Sequence, residues 1–486
     1  MRNTCRIGFA LMGALFAITS FAQQIKVTYS DKLNTGKFTG NVFLYLSKED
    51  HEPKNGAVGM TAFPCFRIAV KDIKPGQSVL FDDKAVSYPV PLSDIERGEY
   101  YVQAVWDKNL FDHAIGNARG NLYSKTQKVS FTKDRSKIFS LSADEVVPDK
   151  PFIETDYAKE LSVPSTLLTA FHKKNITIDA AVLLPAAYLT EPGRKFPVVY
   201  FITGFGGDYH MYSGRKKPDA FLDTVPCIRV VLDGNCATGH SVYANSDNNG
   251  PWGDAMVKEL IPAVEKQFRC DGTRLLHGHS SGGWSSLWLQ IQYPSVFAGC
   301  WSSSPDPVDF RNFTGVDLYQ DTNMFYKKDS TLRILASVGG WFPWAYMKQY
   351  YQMEHVVNRG EVTQSFNAVF SQREPDGSPR NLCNPATGVV DQQTVAHWKN
   401  YDISRFLVAN PDRIEKLRGK IRISVGEQDN FFLNQSVKLL KEEMSKSGNP
   451  IEFSFYPGDH FTVFTREYGD AGLAFLLKRY RESKQQ

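Results

Sequence analysis

The sequence predicts an α/β fold, a mostly parallel sheet with helices on both faces and a cap insertion, preceded by an all-β domain of immunoglobulin-like sandwich type. Three observations predict it. A chain of 486 residues exceeds the size at which one hydrophobic core keeps growing. Its first part breaks into short strands separated by turn residues, and its second part alternates strand-like with helix-like segments.

At the start of the chain, Arg2 and Arg6 precede an apolar run from Ile7 to Ile18 and the ending Ser20-Phe21-Ala22. This is the layout of a secretory signal over residues 1–22, cleaved after Ala22, and it places the remainder in the periplasm or outside the cell. The apolar run is too short to span a bilayer and no later stretch is long enough, so no integral membrane association is expected. A net charge of +4, from 56 basic and 52 acidic residues spread along the chain, argues for neither nucleic acid nor a membrane surface as partner. Clusters such as Arg215-Lys216-Lys217 read as solvated loop. Beyond the signal stand Cys65, Cys227, Cys236, Cys270, Cys300 and Cys383. An oxidising compartment permits disulfides among them, Cys227 with Cys236 being the local candidate, and the alternative is that several are small buried apolar residues. Their spacing matches no zinc site, and no structural metal is expected.

Residues 23–147 carry the β-domain. Asn41 to Leu46 and Tyr100 to Trp106 are rich in β-branched and aromatic residues, and Pro75-Gly76 and Arg97-Gly98-Glu99 supply turns. Such a module either binds polysaccharide or braces its neighbour, and bracing is the expectation because no aromatic platform can be picked out. Residues 148–166, with Pro148, Pro151 and Pro164 among many charges, read as a linker. Residues 167–486 form the α/β domain. Its strand signals include Phe196 to Ile202, Thr273 to Leu276, Ile421 to Val425 and Ile451 to Tyr456; its helical ones include Asp254 to Phe268, Leu433 to Ser445 and Ala471 to Tyr480. From about 305 to 418 the alternation lapses for too long to be an ordinary connection, which marks an insertion. Its aromatics, among them Trp341, Trp344, Tyr351 and Trp398, are expected partly as core and partly as pocket wall.

The chemistry centres on Gly278-His279-Ser280-Ser281-Gly282-Gly283, directly after a strand signal and directly before a helical one. This is a nucleophile elbow, in which a sharp turn lifts the Ser280 hydroxyl above the strand end and glycines avoid collision within the turn. A serine hydroxyl needs a general base. His460, just beyond the last strand signal, stands where that base belongs, while His210, His240, His277 and His279 read as structural. The base in turn needs a carboxylate to hold one tautomer, and Asp429 after Ile421 to Val425 completes the chain order Ser, Asp, His, with Glu427, Asp459 and Asp306 as rivals. The developing oxyanion calls for two N–H donors, expected from the backbone of Ser281 and from Phe205 in Thr203-Gly204-Phe205-Gly206-Gly207.

These segments, with Glu259-Leu260-Ile261-Pro262, resemble the putative esterase family of the α/β-hydrolase clan, which contains feruloyl and acetylxylan esterases, S-formylglutathione hydrolase, enterochelin esterase and mycolyltransferases. The resemblance runs from about Leu167 to Tyr480. It implies Ser280, Asp429 and His460 as a catalytic triad, Phe205 and Ser281 as oxyanion donors, Glu259 as a packing element, and no cofactor. Thr203 departs from the histidine that many relatives carry there, and the long insertion lies outside the common core. The implied activity is hydrolysis of a carboxylic ester, with feruloyl or acetyl groups on polysaccharide as first choice. Siderophore or other small-ester cleavage, acyl transfer, peptide cleavage and a non-catalytic binding role remain as alternatives; the front domain is too short for the propeller that secreted prolyl-type peptidases carry.

Overall fold

The computed structural model describes residues 23–56, 60–134, 137–222 and 224–485. The expected signal segment, and Cys5 within it, lie outside the described residues.

The described residues of 23–147, called the β-domain below, are built from strands and two short 3-10 turns. Three strands, Val79–Phe81, Gln24–Tyr29 and Ile138–Ala143, form one sheet, in which the last two pair in parallel from Gln24 with Ile138 to Tyr29 with Ala143. The other sheet is antiparallel and is centred on Phe38–Ser47 between Cys65–Ile73 and Gly98–Trp106. The two sheets face each other over one core, because alternate residues point inward: Ile25, Val27 and Tyr29 from one side meet Val42, Leu44, Phe66 and Trp106 from the other.

The second domain rests on an eight-stranded sheet in the order Ala158–Pro164, Thr177–Leu183, Ile228–Leu232, Phe196–Ile202, Cys270–His279, Gly299–Ser303, Ile421–Gly426, Glu452–Tyr456. Thr177–Leu183 pairs antiparallel with both of its neighbours, and the strands from Ile228–Leu232 onward pair in parallel. The strands Ile228–Leu232, Phe196–Ile202, Gly299–Ser303 and Ile421–Gly426 are buried on both faces, as parallel strands covered by helices are. The helices Ser281–Gln292 and Leu433–Ser445 share one core with the first face, and the helix Arg466–Ser483 packs Tyr468, Phe475 and Leu476 on Trp301 and Leu275 of the other.

Part of the expected 148–166 linker is instead structure. Ala158–Pro164 is the edge strand, paired with Thr177–Leu183 from Ala158–Leu183 to Pro164–Thr177. Ala158, Leu161 and Val163 are buried by it, and Pro164 is tolerated because it ends the strand at the sheet edge. The insertion between Ser303 and Ile421 holds a hairpin, Ile334–Val338 with Phe342–Tyr346, and five helices, including Met347–Val357, Val362–Phe370 and Gln392–Trp398. It is not a separate body: Phe310, Phe313, Phe370 and Trp398 belong to the same hydrophobic core as the sheet.

The insertion also joins the two domains. Met353, Val356 and Val357 of the helix Met347–Val357 pack on Phe43, Tyr45, Cys65 and Val105 of the β-domain. Beside them a buried Arg359 binds Asp107 and donates to the Asp112 carbonyl at 3.0 Å, so the charge is paired and hydrogen-bonded. The Cys227–Cys236 pairing does not form; all six described cysteines are free, and these two sit in different apolar clusters on opposite faces of the sheet. No helix among the described residues is long and apolar enough to cross a membrane.

Candidate active site

Strand Cys270–His279 lies in the middle of the sheet and ends at Ser280, whose backbone sits at φ 59° and ψ −126° before the helix Ser281–Gln292 begins. A non-glycine residue in such a conformation costs about 1–3 kcal/mol. Close packing around the turn holds it there. A Cβ on Gly278 would lie 2.1 Å from the Gly282 carbonyl oxygen, and one on Gly282 would lie 2.0 Å from that of Ile202. The Ser280 N–H donates to the Ser303 carbonyl at 3.0 Å, and the Ser280 carbonyl accepts from Trp284 N–H at 3.0 Å. Ser280 is thereby presented at the strand end with the positive end of a helix behind it, whose first N–H groups have no partner within the helix.

His460 and Asp429 meet from two separate loops. His460 Nδ1 lies 2.8 Å from Asp429 Oδ2, and both side chains are buried. The other carboxylate oxygen of Asp429 accepts the N–H groups of Phe431 at 3.0 Å and Leu433 at 3.4 Å, at the start of the helix Leu433–Ser445. A carboxylate with an imidazole on one oxygen and helix-terminal donors on the other is well compensated for burial. Asn430 ties the parts together: its Oδ1 accepts from His460 N–H at 3.0 Å, and its Nδ2 donates to the Ser337 carbonyl of the insertion hairpin at 2.7 Å.

The rival carboxylates have other partners. Asp459 accepts from the N–H groups of Phe461 and Thr462 in its own turn. Asp306 accepts the Ser281 hydroxyl at 2.7 Å, and burial pushes it up to about 6 against that hydrogen bond. His277 meets the Trp301 carbonyl at 2.9 Å and His240 the Thr203 carbonyl at 3.2 Å, and burial holds both down at about 4. His279 meets Ser303 Oγ at 2.8 Å with its ring 4.5 Å from that of His460; burial first, and the His460 charge second, hold it well below the usual histidine range. Glu259 is structural: it accepts from Thr166 N–H at 2.9 Å and Leu167 N–H at 3.1 Å, capping the helix Thr166–His172.

Ser280, Ser281, Phe205 and His460 line one cavity of about 250 Å³, with Asp429 behind His460. Its walls are mostly apolar, with Phe313, Phe366 and Trp398 from the insertion and Phe431 and Phe461 beside the histidine. Among the described residues no Lys or Arg lines it. Trp341, Phe342 and Trp344 of the hairpin are instead exposed.

A parallel sheet bearing a strained serine between strand and helix, with a paired histidine and carboxylate on following loops, defines a protein of α/β-hydrolase type. The chain belongs to the family described as "Putative esterase", whose model matches residues 173–464. It is thus of esterase type. No curated protein matches the sequence. Among solved structures, a ferulic acid esterase is similar at 15% identity and a TM-score of 0.41, covering 68% of this chain and 99% of its own. A fluorophosphonate-binding serine hydrolase of Staphylococcus aureus is similar at 14% identity and a TM-score of 0.38, covering 66% of this chain and 98% of its own. An S-formylglutathione hydrolase from Agrobacterium tumefaciens is similar at 15% identity and a TM-score of 0.38, covering 67% of this chain and 96% of its own.

Two residues at the site carry no sequence signal. Met60, from the β-domain, lines the cavity with Ser280, although no local pattern marks a loop of one domain as the wall of another's site. Asn430 looks like an ordinary loop asparagine until the histidine loop folds over it.

Proposed function

We propose that this protein is a secreted serine esterase in which Ser280, His460 and Asp429 form the catalytic triad and the Phe205 and Ser281 N–H groups form the oxyanion hole. His460 Nε2 takes the proton of Ser280 Oγ as that oxygen bonds to the ester carbonyl carbon, and the carbonyl π pair moves onto its oxygen. The two backbone N–H groups hold that charge. When the C=O bond re-forms, the alcohol leaves with the proton from His460. Water then attacks the acyl-enzyme, giving its proton to His460, and the acid departs as Ser280 Oγ regains one. Asp429 keeps Nδ1 protonated and stabilises the imidazolium in both steps. No cofactor enters this cycle. The observation that carries the reading is the Asp429–His460 pair at 2.8 Å behind a cavity lined by Ser280.

The substrate is an acyl group on polysaccharide, feruloyl or acetyl. An apolar cavity at Ser280 suits an acyl group and offers no cation to a charged one. Residues 1–22 serve as the secretion signal, and residues 23–147 form an immunoglobulin-like β-sandwich ahead of the catalytic domain. The test is mass spectrometry after a fluorophosphonate probe, with Ser280→Ala as control and a panel of aryl, acetyl and feruloyl esters. One adduct, on Ser280, is expected; a folded protein that takes none overturns the nucleophile.

A further inference from the structure

The insertion hairpin sets large aromatic side chains in solvent. Residues alternate along its second strand, Phe342–Tyr346: Ala345 is buried in the core that the sheet shares, while Phe342 and Trp344, two residues apart on the other face, are exposed. Trp341, in the turn before that strand, is 74% exposed. A contiguous run of large exposed apolar groups marks a surface with an occupant.

This surface continues the catalytic cavity. Phe431 and Phe461 line the cavity, with ring centroids 5.1 Å and 5.2 Å from that of His460 and 6.1 Å from each other. Phe461 is also 56% exposed, and its outer neighbour is Trp344, with centroids 6.2 Å apart. Phe342 follows about 7 Å further along the same strand face, and the Trp341 ring lies 5.9 Å beyond it. Reciprocal hydrogen bonds hold the hairpin in this place: Ser337 N–H donates to the Asn430 carbonyl at 2.8 Å, and Asn430 Nδ2 donates to the Ser337 carbonyl at 2.7 Å. Because Asn430 also accepts from His460 N–H, the aromatic run is anchored to the loop that carries the histidine.

The geometry of the run defines what fits. Its rings are crossed, with interplanar angles of 73° between Phe431 and Phe461, 77° between Phe461 and Trp344, and 85° between Phe342 and Trp341. Crossed rings present faces and edges in turn, so a planar ring finds no single face to stack on. A flexible alkyl chain conforms to such a surface, and a run carried by one strand takes one chain lengthwise. A chain laid along it enters the cavity at Phe461, with Ser280 and His460 at its inner end. Each methylene moved from water onto the run raises affinity by up to about fourfold.

We infer that Phe461, Trp344 and Phe342 form an outer acyl subsite, and that the enzyme takes esters of long-chain apolar acids besides the shorter acyl groups that the cavity holds by itself. This rests on the esterase reading above. The insertion hairpin then sets how long an acyl group is accepted.

Kinetics are compared on 4-nitrophenyl acetate, octanoate and decanoate, each kept below the concentration at which it aggregates. In the wild-type protein kcat/KM should rise about tenfold or more from acetate to decanoate. Trp344→Ser and Phe342→Ser change exposed residues outside the catalytic cavity, so each should keep kcat/KM on the acetate within about twofold and lower it on the decanoate about tenfold, chiefly through KM. A wild-type profile that falls with chain length, a profile unchanged in both variants, or equal losses on acetate and decanoate overturns the subsite. Self-association in sedimentation velocity, or binding to phosphatidylcholine vesicles, that the same substitutions abolish while the chain-length profile stays unchanged gives the surface to a second copy or to a lipid bilayer and likewise overturns it. Calorimetry of 2-decanone with Ser280→Ala separates this from the esterase reading. If the wild-type protein cleaves none of the esters, that reading fails, yet ketone binding that Trp344→Ser weakens about tenfold still supports the subsite; no binding to Ser280→Ala overturns it.

Discussion

Asp429 and Asp306 follow neighbouring parallel strands, Ile421–Gly426 and Gly299–Ser303, and both are buried at the same site. Asp429 follows its strand within a tight turn that starts a helix, so two N–H groups and the His460 imidazole converge on it. Asp306 meets the Ser281 hydroxyl, and burial raises it to about 6. At Asp306 burial outweighs the hydroxyl hydrogen bonds of Ser281 and Ser280 and the neighbouring His460 charge, all of which favour the carboxylate.

This comparison can be broken or sharpened at four positions. Ser280→Ala sets the floor: kcat should fall by about 10⁴ or more with the fold intact, read by ester turnover beside circular dichroism. Asp429→Asn should come next, with kcat down about 10⁴ because an amide no longer selects the productive imidazole tautomer; an equal loss from Asp306→Asn would reverse the assignment of the two acids.

Asp306→Asn should instead retain turnover within about tenfold, and its signature is in stability. Asp306 titrates at about 6 in the folded chain and near 3.9 when unfolded. Between those values the folded chain holds a proton that the unfolded one lacks, so wild-type stability falls as pH rises through that window and levels off above it. The variant escapes this loss, and its Tm advantage over wild type should grow by about 2–4 °C between pH 4 and pH 7. A constant difference across that range would place Asp306 in its ionised form throughout. Asp459→Asn, whose carboxylate serves its own turn, should leave kcat/KM within about twofold.

The elbow was legible because its constraints are local: a serine at a strained turn demands glycines where backbones touch, and Gly278 and Gly282 stand at those places in the sequence. His460 and Asp429 stood out by their places after strand signals and by chain order, with Glu427, Asp459 and Asp306 as rival carboxylates, and the structure puts Asp429 on Nδ1 of His460 and His460 at Ser280's cavity. The edge strand Ala158–Pro164 was not, because three prolines and many charges obscure a pattern of buried positions that matters only once Thr177–Leu183 lies beside it. The contribution of Met60 was not legible either, since the residues that line the cavity with it lie more than a hundred residues away in the other part of the chain.

By itself the sequence determined a β-rich front, an α/β body interrupted by an insertion, and the residue types of a serine hydrolase at the ends of particular strands, because strand period, turn chemistry and the elbow's glycines act over a few residues. The tertiary structure alone decided which carboxylate faces His460, that the insertion shares the sheet's core, and that the β-domain walls the site. Those outcomes depend on which distant surfaces pack together, and no local pattern encodes the packing of side chains brought together from three parts of the chain.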